Sequence, residues 1–236
     1  MKMTFFTKSA KKHLIASALV MLGILGFQSC KKDEAPVSPD LAYLSVVNTS
    51  PTSATYNFYL NDAKANGTSA LPFEGSVAYF PVNAGDYNAK FTTASNTESV
   101  ITKKISIARE QAYTLFLIDK GDKLDYLLNT DDLSKTTEKA FIRFINLSPD
   151  AGALDLAIKG GATIIGDKAY KAISTFVEID PKAYEFSIRD KGAADAKFSL
   201  ASMDIAKGKY YTVIATGLVV PGADGRAFGG KVITNK

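Results

Sequence analysis

Ala42-Tyr43-Leu44-Ser45-Val46-Val47-Asn48-Thr49-Ser50-Pro51 comes back 98 residues later as Ala140-Phe141-Ile142-Arg143-Phe144-Ile145-Asn146-Leu147-Ser148-Pro149. An internal repeat is the first feature to seek in a chain, because missing it misreads the whole fold. The correspondence continues from Tyr56-Asn57-Phe58 to Leu154-Asp155-Leu156. After a slip of one position, Tyr87-Asn88-Ala89-Lys90-Phe91 meets Tyr184-Glu185-Phe186-Ser187-Ile188. The original offset then returns, setting Ile105 and Ile107 against Met203 and Ile205, and Tyr113-Thr114-Leu115 against Tyr211-Thr212-Val213. One slip, later recovered, indicates two tandem copies of one unit.

Each copy reads as strands. Tyr184, Phe186 and Ile188 alternate with Glu185, Ser187 and Arg189, the period of two that marks a half-buried strand, and Ala54, Tyr56, Phe58 and Leu60 alternate with polar neighbours likewise. Turn chemistry recurs at short intervals: Asn66-Gly67, Ala84-Gly85-Asp86, Lys120-Gly121-Asp122, Lys207-Gly208-Lys209 and Asp224-Gly225. No helical periodicity is sustained after residue 30. The expected fold is all-β: two tandem antiparallel β-sandwich domains, Ig-like or transthyretin-like, after a signal peptide and tether. The boundaries expected are 1–29 for the signal peptide, 30–40 for the tether, 41–128 for the first repeat, 129–139 for a linker and 140–236 for the second repeat. The polar linker has room for one helical turn capped by Thr130 or Asp131. Fragments 41–132 and 138–236 are each expected to fold alone.

Asn48-x-Ser50-Pro51 and Asn146-x-Ser148-Pro149 close the first strand of each copy, where Asn and Ser side chains bond the backbone and Pro fixes φ. Tyr113 and Tyr211 open a late strand in each copy, the position of a tyrosine corner or a core ring.

The leader is a second clear signal. Residues 2–12 are basic, and Leu14 to Phe27 form an apolar run of 14 residues, short of the roughly 20 needed to span a bilayer. Phe27-Gln28-Ser29-Cys30 follows and resembles the lipobox of bacterial lipoproteins, in which a small residue precedes an obligatory cysteine. That resemblance implies cleavage between Ser29 and Cys30 and acylation of the Cys30 thiol. Phe27 and Gln28 depart from the usual Leu and Ala or Ser of the motif. Three acyl chains would hold a protein firmly, since each buried CH₂ is worth about 0.8 kcal/mol and one chain alone is marginal. Cys30 is the single cysteine, so no disulfide can form within the chain. Residues 31–40 are charged, carry two prolines and read as an extended spacer. Lys32-Asp33-Glu34 also resembles the export signal of surface-exposed lipoproteins of Bacteroidota type. The expected location is the outer membrane, lipid-anchored through Cys30 and surface-exposed.

A strand ending in Asn-x-Ser-Pro, a following strand with Asp155 at its middle, and Ala84-Gly85-Asp86-Tyr87 entering another strand resemble the bacterial domain-of-unknown-function 4397 family. The second copy matches better at Ser148-Pro149-Asp150-Ala151, and it renders the Ala-Gly-Asp-Tyr motif as Pro181-Lys182-Ala183-Tyr184. The resemblance covers about 42–220. It implies an extracellular or lipid-anchored β-rich domain, often in tandem, and it brings no activity and no functional site.

Charge and composition narrow the function. The net charge of +4 comes wholly from Lys2, Lys8, Lys11 and Lys12, leaving 24 cations against 24 anions from Cys30 onward. A neutral body carries no electrostatic footprint for nucleic acid. The only histidine is His13, in the leader, which removes the usual general base of nucleophilic triads and the His-type zinc sites. Gly225 to Val232 nearly spells a P-loop, but Val232 stands where Ser or Thr would hold magnesium. Asp119, Asp122 and Asp125 suggest a calcium loop until Lys120 and Lys123 are noticed between them. Asp131-Asp132 could hold a metal at the linker, although solvated linker acids are commoner. No spacing nominates a glycosidase pair. The expectation is a protein that is not an enzyme, with no cofactor, no metal and no catalytic residue. It would present two β-sandwich modules for binding or assembly, with the membrane as one partner and an extracellular protein or glycan as another. The alternatives are a glycan-binding surface lipoprotein of a nutrient-uptake system and a fimbrial or adhesion component. For a glycan, Tyr43, Tyr59, Tyr79 and Tyr126 are the candidate stacking rings in a chain without Trp.

Overall fold

The computed structural model describes residues 40–236. Ser29, Cys30 and the leader lie outside the described residues. The first repeat contains β1 (Leu41–Asn48), β2 (Tyr56–Leu60), β3 (Ala63–Lys64), β4 (Ser76–Asn83), β5 (Gly85–Thr93), β6 (Ser99–Ile107), β7 (Ala112–Ile118) and β8 (Asp125–Asp131). The second contains β9 (Ala140–Asn146), β10 (Leu154–Ile158), β11 (Thr163–Lys168), β12 (Val177–Ile179), β13 (Ala183–Tyr184), β14 (Phe186–Asp190), β15 (Phe198–Ser199), β16 (Met203–Asp204), β17 (Tyr210–Thr216) and β18 (Gly229–Thr234). Among the described residues the regular structure is strand, apart from one short 3₁₀ turn at Gly121–Lys123.

The duplication is visible in the topology. The first repeat pairs a sheet of order β4-β1-β7-β8 with one of order β3-β2-β5-β6. The second repeats this as β12-β9-β17-β18 and β11-β10-β14-β15, with β13-β16 as a small ribbon. The outer sheets are antiparallel throughout, as expected, and each central sheet adds one parallel pair. β1 runs parallel to β7, with Tyr43 against Ala112, and β9 runs parallel to β17, with Phe141 against Tyr210. The sandwich thus closes through a first and a late strand that share no hairpin, which local turn signals cannot reveal.

Each repeat buries its own core between its two sheets. Ala42, Leu44, Val46, Phe58, Phe91, Leu115 and Leu117 fill the first, and Ile142, Phe144, Leu156, Phe186, Ile188 and Val213 fill the second. Tyr113 and Tyr211 sit in these cores, and each hydroxyl accepts a hydrogen bond from a backbone N–H five residues upstream, Ala108 at 3.1 Å and Ala206 at 3.0 Å. The Asn-x-Ser-Pro turns also match. Asn48 and Asn146 each accept from the N–H of the serine two residues on, at 3.1 Å, and each serine hydroxyl donates across to a carbonyl that follows β7 or β17.

A third core joins the repeats. Apart from the exposed Tyr43 near the start of β1, the strands β1, β7, β9 and β17 are buried on both faces, so they read as largely apolar runs rather than alternating ones. Their second faces meet as Val47, Phe116 and Ile118 packed with Ile145, Leu147 and Ile214. Val47 and Phe116 are the positional equivalents of Ile145 and Ile214, so the contact joins equivalent faces of the two copies. Each apolar side chain buried there contributes about 1.5–3 kcal/mol. Residues 40–236 therefore stack four sheets. The expected helical turn of the linker is absent, because β8 carries Thr130 and Asp131 as strand residues.

The four central strands run in one direction. At their starting end lie Asp40, the linker and Lys236, where Lys236 Nζ donates to the Leu133 carbonyl at 3.2 Å and the Tyr210 hydroxyl to the Lys135 carbonyl at 2.7 Å. At the far end the Arg226 N–H donates to the Pro51 carbonyl at 3.1 Å, and the Thr216 hydroxyl to Glu74 at 2.6 Å. The chain enters at one end, and the Asn-x-Ser-Pro turns lie at the other.

Candidate functional site

The seam between the repeats has an apolar middle and a polar entry end. Asp131 is 3% exposed and Arg143 is 2% exposed, and they face each other across the seam with Nη2 at 2.5 Å from Oδ1. That contact is ionic, without the alignment of a formed hydrogen bond, whereas Arg143 Nε donates to the Thr212 hydroxyl at 2.8 Å. Asp131 also accepts from the hydroxyls of Tyr79 at 2.5 Å and Thr114 at 2.6 Å, and from the Asn129 amide at 2.8 Å. On the other repeat Thr212 donates to Asn235 at 2.6 Å, and Asn235 donates to the Tyr79 hydroxyl at 3.0 Å. A buried charge is tolerated only when paired and hydrogen-bonded, and this network supplies both. Burial, then the neighbouring Asp131 charge, pushes the Tyr79 hydroxyl well above the usual phenol range.

Above this network the seam opens into a cleft of about 640 Å³, bordered by Tyr43, Tyr79, Glu110, Gln111, Ala112, Asp132, Ser134 and Lys236. Small-ligand sites have this scale and this mixture of ring and polar groups. Tyr43 is 49% exposed, on the outward face of β1. Asp132 accepts from the Ser134 N–H and hydroxyl, which holds its carboxyl below the usual carboxylate range. Glu110 occupies the left-handed region at φ +61°, where a residue with a Cβ is disfavoured by roughly 1–2 kcal/mol. At the equivalent turn of the second repeat the residue is Gly208, at φ +71°. Both N–H groups bond the residue before their first strand's core, Glu110 to the Leu41 carbonyl and Gly208 to the Lys139 carbonyl, each at 2.8 Å.

Of the four candidate rings, the structure brings Tyr43 and Tyr79 to this cleft. Tyr59 lies on β2 in the outer sheet, with Lys90 Nζ over its ring at 5.0 Å. Tyr126 lies on β8 against Phe91, centroids 6.2 Å apart. Two of the three aspartates considered for calcium, Asp119 and Asp125, are otherwise engaged. Asp119 accepts from the Tyr170 hydroxyl at 2.7 Å and faces Lys171 at 3.4 Å, and Asp125 pairs with Lys103 at 2.5 Å. Among the described residues no three His, Cys, Asp or Glu side chains gather to hold a metal. The Gly225–Val232 stretch leads into β18 rather than a helix. Sequence reasoning missed Arg143, Asn235, Glu110 and Gln111, and it read Asp131 as a linker acid, whereas the structure buries Asp131 in a strand against Arg143. Tyr43 and Tyr79 pointed here as candidate rings, and the pairing of Glu110 with Gly208 was available in the repeat alignment as well.

Residues 42–157, from β1 through β10, match the family described as a domain of unknown function, DUF4397. No curated protein matches the chain. Among solved structures, the TIE protein of Bacillus anthracis is similar at 12% identity and a TM-score of 0.25, over 75% of this chain and 34% of that one. This chain therefore spans about a third of the TIE protein. A family 26 carbohydrate-binding module from Eubacterium rectale, solved with maltoheptaose, is similar at 10% identity and a TM-score of 0.23, covering 82% of this chain and 95% of its own. A DUF3823 family protein from Bacteroides ovatus is similar at 10% identity and a TM-score of 0.21, covering 70% of this chain and 98% of its own. Among the described residues no helix is long and apolar enough to cross a membrane.

Proposed function

We propose that this protein is a non-catalytic binding module, held to the outer membrane by acylated Cys30 after cleavage between Ser29 and Cys30, and exposed at the cell surface. The lipobox-like Phe27-Gln28-Ser29-Cys30 behind an apolar run of 14 residues is the observation that carries the anchor. The four-sheet body supports the binding role, because it offers a ligand-sized cleft at the seam. A saccharide ligand has the exposed Tyr43 ring and the polar rim in its favour. Assembly by strand addition has less support. The open edge strand β6 carries Lys103 and Lys104 at its middle, a charge pattern that blunts edge pairing.

The test is fractionation of the host cell. Wild-type protein should pellet with outer membranes and be digested when intact cells meet protease, and Cys30→Ser should appear in the soluble fraction. A Cys30→Ser variant that pellets as the wild type does would refute the anchor.

A further inference from the structure

We infer that the cleft at the entry end of the seam is a saccharide subsite in which Tyr43 is the stacking platform, an inference that rests on the binding-module reading above. The two repeats differ at one aromatic site. In the second repeat Phe141, Tyr210 and Phe176 form a closed aromatic cluster. Phe141 stacks on Tyr210 with centroids 4.4 Å apart and an interplanar angle of 16°, and Phe176 meets Tyr210 edge-on at 5.0 Å and 89°. Phe141 and Tyr210 are both fully buried.

The same three positions in the first repeat hold Tyr43, Ala112 and Tyr79. Tyr43 opposes Ala112 in the parallel pair β1/β7, as Phe141 opposes Tyr210 in β9/β17. Phe80 opposes Leu44 as Val177 opposes Ile142, which makes Tyr79 the counterpart of Phe176. The ring that covers Phe141 is thus replaced by a methyl group over Tyr43, and Tyr43 remains 49% exposed in the cleft. One site of the duplicated fold is closed by its own side chain. The other keeps an aromatic face turned to solvent.

The rim chooses the ligand. A flat apolar face alone would suit an aromatic side chain of a partner protein as well as the C–H face of a pyranose. Glu110 and Gln111, exposed beside Tyr43, add planar carboxylate and carboxamide groups of the kind that accept and donate to adjacent ring hydroxyls. Glu110 holds its place in a left-handed conformation that the second repeat gives to Gly208. Glu110 and Asp132 on the rim outnumber the one cation there, Lys236, so an anionic ligand is disfavoured while the hydrogen-bonding rim suits a neutral saccharide.

The experiment uses the full chain in detergent on an array of defined neutral oligosaccharides, followed by calorimetric titration of the strongest binder. Tyr43→Ala should weaken that binding at least tenfold, and Tyr43→Phe should keep it, because the ring face carries the contact. Ala112→Tyr, which places the second repeat's ring over Tyr43, should abolish binding while leaving the circular dichroism and urea midpoint unchanged. Saccharide binding that survives both Tyr43→Ala and Ala112→Tyr would overturn the assignment. A wild-type protein that binds no saccharide would also overturn it, and so would capture of an aromatic peptide that Ala112→Tyr abolishes. None of these outcomes touches the anchoring test, which reads Cys30 alone.

Discussion

Replacing Asp131 by Asn removes one charge from the seam and keeps the shape. The amide still accepts from Tyr79 and Thr114, but Arg143, 2% exposed, loses its counter-ion. Leaving one member of a buried pair unmatched costs about 3–5 kcal/mol. With a urea m-value of about 2 kcal/mol/M for a body of this size, the midpoint should fall by roughly 1.5–2.5 M. Arg143→Met should cost less, about 2–3 kcal/mol, because Asp131 keeps three hydrogen-bond donors from the first repeat. The double variant should lose less than the two single losses together, by at least about 1 kcal/mol, since the second change removes the charge that the first stranded. Urea unfolding of the four proteins, followed by far-ultraviolet circular dichroism, measures all of this. A midpoint shift below about 0.3 M for Asp131→Asn, or strictly additive losses, would refute the reasoning that the pair holds the repeats together.

Other consequences follow from single features. Burial and then Asp131 raise the Tyr79 hydroxyl, and burial and then Asp119 raise that of Tyr170. Acids whose folded pKa is raised lend stability below their unfolded value near 10, and that stability drains as pH climbs toward the folded value. Absorbance at 295 nm should therefore show part of the 11 tyrosines ionising only with unfolding above pH 10, and a single reversible titration of all of them near pH 10 would contradict this. Gly217 has φ +75°, and a Cβ there would lie 2.1 Å from the Ala227 carbonyl oxygen, so Gly217→Ala should cost at least about 2 kcal/mol in the same urea assay. Fragments 41–132 and 138–236 each keep a complete core but expose Val47 and Phe116 or Ile145 and Ile214. Mixed in equal amounts they should associate one to one in analytical ultracentrifugation, and two independent monomers would contradict a cohesive seam.

Much of the fold was legible because its signals are local. The alternation in β2 and β14, the Asn-x-Ser-Pro turns and the two core tyrosines depend on neighbours within a few residues, and the repeat shows itself by comparing the chain with itself at an offset of 98. The parallel pairs β1/β7 and β9/β17 were not, because strands some 70 residues apart in sequence leave no local trace of their register. The seam left a trace that was easy to overlook. Thr114 to Ile118 and Phe141 to Leu147 are buried on both faces, but Arg143 within the second run reads as a solvent-facing residue until Asp131 is seen opposite it. The cleft depends on one substitution, Ala112 for the ring of Tyr210, whose meaning is visible only once both faces of β7 and β17 are known.

The account stands on the sulfur of Cys30. Intact-mass and peptide mass spectrometry of the protein drawn from its native envelope reads it directly. The account predicts a chain that starts at Cys30 and carries thioether-linked diacylglycerol with an acylated amino terminus. A free thiol at Cys30, in a chain that retains its leader or is released from the envelope, would contradict it.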